Sequence, residues 1–436
     1  MTASAGPDRR LPKTADSASR LIVFSDDWGR HPSSCQHLVR ELMRQRPGLD
    51  VLWVNSIGMR RPNLSRSDLR RALGRIFASR RKPTSRDAAG PLGASDPAAL
   101  RIVSPWMYPG FRSAWQRRFN ARRMIRAVCR GLASSKTQGE PVSTTLLTTL
   151  PITADLIDPL RDAGEIDRVV YYAVDDFSVW PGVDGGAMDA MERAQAGRVD
   201  AVVCAGEVLR DRVRSMLPCT DGRRDAVKQL SHGVDLELWG TDCETEAPNA
   251  EATAPRSALR SAALFWGLID ERMDLGWLRS LATEPPGVSI DLVGPVQAGF
   301  DRPDVSGVTL CGPASYIDLP KRAQRADVLV MPYVDAPVTR AMAPLKLLEY
   351  LAAGWPGGFK PVVVRDLPAT RPWADCCDVV STQAEFVRVC RERVETGCPP
   401  DQAEARQRRL PAESWSEKAR ELGRLLFPEP PSGRDR

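Results

Sequence analysis

The stretch Pro344-Leu345-Lys346-Leu347-Leu348-Glu349-Tyr350-Leu351-Ala352-Ala353-Gly354 sets a lysine and a glutamate three residues apart. Proline suits the first turn of a helix and glycine its end, so the stretch predicts a short, sharply bounded helix. Lys346, Glu349 and Ala353 then share one face, and Leu345, Leu348 and Ala352 another. Lys346 falls in the first turn, where the helix dipole disfavours a cation and favours an anion. An anion docked there, such as a diphosphate, accounts for both. A plain amphipathic helix with a solvated lysine and glutamate is the competing reading of this segment. A pair of acids, Asp175-Asp176, directly follows the apolar run 168–174. Acids at that point stand at the carboxyl edge of a sheet and face any cleft, while helix capping or solvation explains them as simply. No nucleophile-base-acid constellation is visible in the chain.

The elements that must position these groups alternate between strand and helix. Residues 1–19 are small, polar and charged, and are expected to be disordered. Leu21-Ile22-Val23-Phe24 reads as the first strand, followed by the loop 25–34. Ser33 or Ser34 then caps a helix through about Arg46, with Leu38, Val39 and Leu42 inward, before a strand at 51–54. Further strands are expected at 101–103, 145–149, 168–174 and 200–205, with helices near 113–133, 153–163, 186–197 and 207–217. Such strands read as near-continuous apolar runs because helices cover both faces. Residues 240–258, rich in Thr, Glu, Ala and Pro, lack periodicity. A second series begins at 262–267 and continues through 288–293, 308–310 and 327–331 to the helix above and a strand at 361–365. The expected architecture is α/β: two facing Rossmann-like doubly wound domains, 20–238 and 261–410, with a cleft between them. A linker at 239–260 joins them, and 411–436 forms a C-terminal helix and tail.

A chain of 436 residues has room for such cores, and 42% hydrophobic with 27% charged residues is ordinary for a soluble protein. The net charge of +6 is too small for a nucleic-acid coat, but the charge is unevenly spread. Residues 60–86 hold ten Arg/Lys against one acid, Asp68, and place Leu69, Leu73, Ile76 and Phe77 on one helical face. Residues 112–130 hold seven arginines and no acid. Basic amphipathic segments of this kind can lie on an anionic membrane surface, or be solvated helices packed on their own domain. With no nucleic-acid motif and no interleaved stacking pairs read among the arginines, no nucleic-acid partner is expected. The ten cysteines are scattered without a CxxC pair and only three histidines are present, so reduced thiols and no metal are expected. The N-terminus has no apolar core of a signal peptide, and no apolar run reaches bilayer length. A cytoplasmic protein, soluble or peripheral on the inner face of the cell membrane, is expected.

Several segments carry a resemblance to the retaining GT-B glycosyltransferases of family 4, the group-1 type of polysaccharide assembly. Residues 344–354 followed by Lys360-Pro361-Val362-Val363-Val364-Arg365 are similar to the family's P-L-K-L-x-E-Y-L-A-A-G-x-P-V-V. Leu230-Ser231-His232-Gly233-Val234-Asp235 resembles the segment closing its first domain, Gly267-Leu268-Ile269-Asp270 its first C-domain loop, and 327–333 the strand leading to the donor site. The resemblance covers about 21–427 and implies a nucleotide-sugar as substrate, no cofactor and no metal. By position Glu349 matches the family's ribose-binding glutamate and Lys346 a diphosphate contact, while Gly267 lets the backbone approach the diphosphate. Trp28 to Ser34, with His31, would form the loop beneath the reacting sugar, and Asp175 and Asp176 would face it from the opposite wall. His232 belongs to the donor side or merely closes a turn. Three departures stand out: Ala341 occupies the position of the first glutamate of E-x7-E, Leu268 and Asp274 replace a basic pair, and Trp355–Phe359 form a short insertion. Arg272 lies near enough in sequence to stand in for the basic pair.

The expected function is transfer of a sugar, with retention, from a nucleotide-sugar to a saccharide or lipid-linked saccharide acceptor in cell-surface or exopolysaccharide synthesis. A GT-B sugar-nucleotide epimerase and a catalytically degenerate GT-B scaffold subunit of a membrane-associated complex are the alternatives.

Overall fold

The computed structural model describes residues 19–29, 33–55, 99–108, 110–134, 143–180, 183–218, 222–240, 262–300 and 304–428. His31, the basic segment 60–86 and linker residues 241–260 lie outside the described residues. Strands β1 (Ser19–Ser25), β2 (Asp50–Asn55), β3 (Leu100–Val103), β4 (Ser143–Thr148), β5 (Arg168–Ala173), β6 (Ala201–Cys204) and β7 (Val227–Gln229) form one sheet. Its order is β3-β2-β1-β4-β5-β6-β7, and its pairings are parallel. Strands β8 (Ala263–Trp266), β9 (Ile290–Val293), β10 (Val308–Gly312), β11 (Val328–Met331), β12 (Val362–Arg365) and β13 (Asp378–Val380) form the second, ordered β10-β9-β8-β11-β12-β13 and again parallel. Both sheets reverse direction of growth once, at β1/β4 and at β8/β11. In doubly wound sheets ligands bind beyond the carboxyl ends of the strands at such a reversal.

The inner runs read as strands are buried on both faces, since Leu21, Ile22, Val23 and Phe24 expose nothing, nor do Val362, Val363 and Val364, whereas the edge strands β3 and β10 stay partly exposed. Ser33 caps the helix Ser34–Gln45, its side chain accepting from Gln36 N, and Leu38, Val39 and Leu42 point inward as expected. The three-residue edge strands β7 and β13 were not anticipated. The helix expected at 153–163 resolves into a 3-10 turn, Pro151–Thr153, and a six-residue helix, Ile157–Asp162. Pro159 lacks the N–H that a helix running from 153 needs at that point.

The C-terminal helix Trp415–Leu426 does not extend the second domain. Trp415, Ala419, Leu422 and Leu426 join the core of the first sheet, Thr145 Oγ1 donates to Leu426 O at 3.0 Å and Arg168 Nε to Leu425 O at 2.9 Å. The chain therefore crosses between halves twice, and the two crossings pair. Val234 N donates to Glu413 O at 2.8 Å and Trp415 N to Val234 O at 3.1 Å. Gly233 lies against the Trp415 ring with no room for a Cβ. Among the described residues no helix is long and apolar enough to cross a membrane.

Candidate functional site

The predicted helix forms over Leu345–Ala352, with Pro344 at its N-cap. Three of its side chains converge on one residue, Trp266, at the carboxyl end of β8. Lys346 Nζ donates to Trp266 O at 3.2 Å, Trp266 Nε1 donates to Glu349 Oε2 at 3.0 Å, and Tyr350 Oη accepts from Trp266 N at 2.9 Å. The spacing of i, i+3 and i+4 is what lets one helical face grip a strand end. The competing reading, a solvated lysine and glutamate, is removed: Glu349 is 7% exposed. Lys346 keeps a partly exposed outline, but its ammonium lies over the Phe265 ring at 4.2 Å and the Tyr333 ring at 4.9 Å. Burial, aided by the nearby Arg272 charge, lowers its pKa to about 7 against the opposing pull of Asp270 and Glu349. Glu349 is pushed up by burial, and its bonds from Trp266 and Tyr316 and the Lys346 charge offset part of that.

Beside the lysine the backbone is bare. Gly267, which follows β8, has φ +138°, and a Cβ there would run into Lys346 Nζ. Gly294, which follows β9, has φ +151°, and a Cβ there would run into the Gly267 carbonyl. Gly267 N is bonded to Val293 O at 2.9 Å and Gly294 N to Gly312 O at 2.8 Å, so three adjacent strand ends close on glycines. This glycine shelf is required by the close approach of Lys346 and of the neighbouring strand end, where a side chain would not fit. Arg272 is held beside it: Nε lies 3.0 Å from both carboxylate oxygens of the buried Asp270, and the guanidinium lies 5.9 Å from the Tyr333 ring centroid. An ammonium and an oriented guanidinium thus stand together beside these glycines at a sheet reversal, the place where doubly wound sheets take ligands.

The first half supplies the facing wall. Asp175 follows β5, is bonded by Trp180, and feels the Arg272 charge from the other half. Burial nevertheless raises it to about 6. A carboxyl raised in the folded state binds extra protons between its ordinary value of 3.8 and about 6, so stability falls as pH rises through that window. Asp175→Asn is therefore expected to stabilise the protein at neutral pH by about 1 kcal/mol, after allowance for its part exposure, as a rise in melting temperature that shrinks toward acid pH.

Asp176 turns away into its own network. It caps the turn Phe177–Val179 by accepting from Ser178 N at 3.0 Å, and pairs with Arg212 Nε at 3.0 Å. Arg212 also holds Glu192 at 2.5 Å and Asp189 at 3.0 Å. His232 bridges the halves: its Nε2 lies 3.0 Å from Ala343 O, two residues before the helix, and its Nδ1 3.5 Å from Tyr172 Oη. Burial lowers its pKa to about 4, so it is neutral at physiological pH. His31 lies outside the described residues; on the described residues that flank it, Asp26 gathers several donors. Its half-buried carboxylate accepts from Ser25 Oγ at 2.9 Å, Ser33 Oγ at 2.8 Å and Gln36 Nε2 at 2.6 Å. Asp274, standing in place of a basic residue, caps the helix Leu275–Thr283 and pairs with Arg365 at 2.9 Å. Asp270, Gly294, Tyr333 and Asp26 were not singled out from sequence. A glycine directly after an apolar run, as in Val293-Gly294, was the available signal for the second.

Comparison with known proteins is informative chiefly on the fold. No family model matches the chain. Over 178 residues it is 30% identical to the Bacillus subtilis (strain 168) protein named "Putative teichuronic acid biosynthesis glycosyltransferase TuaH". That match spans 40% of this chain and 42% of the relative, less than half of either. Among solved structures it is similar to the one described as "Trehalose-6-phosphate from E. coli bound with UDP-2-fluoro glucose", with TM-score 0.60 and 11% identity over 93% of this chain and 98% of that one. The α,α-trehalose 6-phosphate synthase of Burkholderia multivorans gives the same TM-score, 0.60, at 14% identity, covering 94% and 98%. At such identities the likeness is one of fold, and it spans nearly the whole chain. Two parallel doubly wound sheets, joined by paired crossings and a helix that returns to the first core, give this chain the GT-B fold.

Proposed function

We propose that the protein is a glycosyltransferase that takes a sugar from a nucleotide-sugar donor and passes it, with retention, to a saccharide or lipid-linked saccharide in cell-surface polysaccharide assembly. The observation that carries this reading is the placement of Lys346 and Arg272 beside the glycine shelf at the β8/β11 reversal. Charge that develops on a departing diphosphate is met there by groups already oriented, which is the largest single contribution an enzyme of this kind can make. With cations gathered on the leaving group and Glu349 tied to Trp266, the leaving diphosphate can itself take the proton of the incoming hydroxyl, the route that gives retention. Asp175 faces the same space and is placed to orient an acceptor hydroxyl. The curated relative bears a teichuronic acid biosynthesis name, which supports the polymer class, and one structural neighbour was solved with UDP-2-fluoro glucose, which makes UDP-hexoses the first donors to try. Association with the inner face of the membrane belongs to the same reading.

A thermal-shift screen of UDP-, GDP-, ADP- and CDP-sugars tests it. One donor series is expected to raise the melting temperature, because a ligand at about a hundredfold its Kd stabilises by about 2.7 kcal/mol. A flat response to all four series would sink the donor site. A second reading, a GT-B scaffold without transferase activity, is favoured by Ala341 in place of a carboxylate and by the internal engagement of Glu349. Binding of a donor without transfer or hydrolysis would select it.

A further inference from the structure

The helix Ala114–Ala133 buries Asn120, Ala121, Met124, Val128, Gly131 and Leu132, which pack it against the first sheet. At 100° per residue Trp115, Arg118, Phe119, Arg122, Arg126 and Arg130 form one stripe on the opposite side. That stripe is open: Trp115 is 57% exposed and Phe119 38%, and the four arginines are exposed. Two further aromatics from the preceding segment sit on it. Trp106, 51% exposed, packs edge-on to Phe119 at 5.8 Å, and Tyr108, 38% exposed, does the same to Trp115 at 4.9 Å. Of the nine large apolar side chains exposed among the described residues, these four are all the aromatic ones, and they share one corner. Among the described residues Arg118, Arg122, Arg126 and Arg130 make no ion pair, although Arg112 and Arg117 nearby pair with Asp184 and Asp155, each at 3.5 Å.

We propose that this aromatic and arginine face is the surface by which the protein lies against a membrane bearing anionic lipid headgroups. The inference rests on the peripheral-membrane part of the proposed function and names its contact. Arg118, Arg122, Arg126 and Arg130, exposed along one stripe, supply the charge complementary to an anionic leaflet. Tryptophan and tyrosine are the side chains that settle at the headgroup level, with an apolar body toward the acyl chains and a polar edge toward water. Long arginine side chains on the same stripe reach headgroup phosphates while their stems cover apolar surface. The stripe is one-sided, as an interfacial helix requires. The helix also corrects the sequence reading, since Trp115 and Phe119 do interleave with arginines. A single-stranded nucleic acid is the competing occupant of such a face, and the experiment below separates the two.

The full-length protein is sedimented with phosphatidylcholine vesicles with and without phosphatidylglycerol, alongside the variants Trp115→Ser/Phe119→Ser and Arg118→Gln/Arg122→Gln/Arg126→Gln. The parent is expected to bind only the anionic vesicles and to release them in salt. The arginine variant is expected to lose about a hundredfold in affinity, from the contribution of each basic residue near the surface, and the aromatic variant to dissociate faster. Unchanged melting temperatures and donor-induced shifts establish that the variants are folded with the donor site intact. A parent that binds anionic vesicles and variants that bind equally well would overturn this face while leaving peripheral attachment standing. A parent that ignores anionic vesicles would overturn both. Tighter binding to single-stranded RNA than to vesicles, lost in the same variants, would reassign the face to nucleic acid.

Discussion

Lys346→Met is expected to reduce transfer from the donor at least about a hundredfold while leaving the fold as stable as the parent or more so. The two effects have one cause. The ammonium is enclosed by Phe265, Tyr333 and the end of β8, and burial with the neighbouring Arg272 brings its pKa from 10.5 to about 7. For a lysine depressed in the folded state, the unfolded chain holds the extra proton between about 7 and 10.5, so stability rises with pH across that window and the charge is a cost below it. Methionine has nearly the same volume and no charge, so it removes that cost along with the proposed phosphate contact. A diphosphate selects the protonated lysine. Binding therefore takes up a proton above pH 7, and affinity falls with rising pH by up to about tenfold per unit until the bound-state pKa is reached. Calorimetry of a nucleoside diphosphate, one pH unit below and two above that midpoint in buffers of different ionisation enthalpy, reads both the slope and the proton uptake. Lys346→Met should flatten both. A parent whose affinity is unchanged across that range would place the diphosphate elsewhere.

What sequence could and could not reveal follows from how far apart the interacting residues lie. The helix Leu345–Ala352 was legible because its proline, glycine and apolar spacing are local. The alternation of runs such as Leu21–Phe24 and 328–331 was legible because parallel strands are buried on both faces and leave a continuous apolar signature. Nothing local says that Trp266 will hold Glu349, 83 residues away, so a carboxylate assigned to a ribose proves to be bonded within the protein as well. Asp270 reads as an ordinary loop acid until it is seen to clamp Arg272. The return of Trp415–Leu426 to the first core depends on a contact with β4, 281 residues distant, and its amphipathic pattern fits either half of the molecule equally. Asp175 and Asp176 are adjacent and chemically identical. Their divergence, one toward the cleft and one into a buried network, is set by Trp180, Arg272 and Arg212, which no spacing rule brings together.

Arg212→Ala is expected to destabilise the protein by about 3 kcal/mol or more, the largest stability loss predicted for a single charged residue here. Its guanidinium holds Asp176, Glu192 and Asp189 at once, and Glu192 and Asp176 are 0% and 6% exposed. Removing the arginine strands two buried carboxylates that share a site, whereas neutralising one carboxylate leaves the cation paired with the other two. Glu192 is already raised by burial despite Arg212 and the Tyr171 hydroxyl at 2.8 Å, so loss of the guanidinium drives it further toward the protonated acid. The variant should accordingly regain stability as pH is lowered through the carboxylate range, more steeply than the parent, whose Glu192 is held down by Arg212. Urea unfolding of Arg212→Ala and Asp176→Asn at neutral and mildly acid pH measures this. The comparison also decides the role of Asp176. If Asp176→Asn keeps full transfer at a modest cost in stability, its carboxylate serves the Arg212 network. A hundredfold loss of transfer with an unchanged melting temperature would instead move it beside Asp175 as a group that touches substrate.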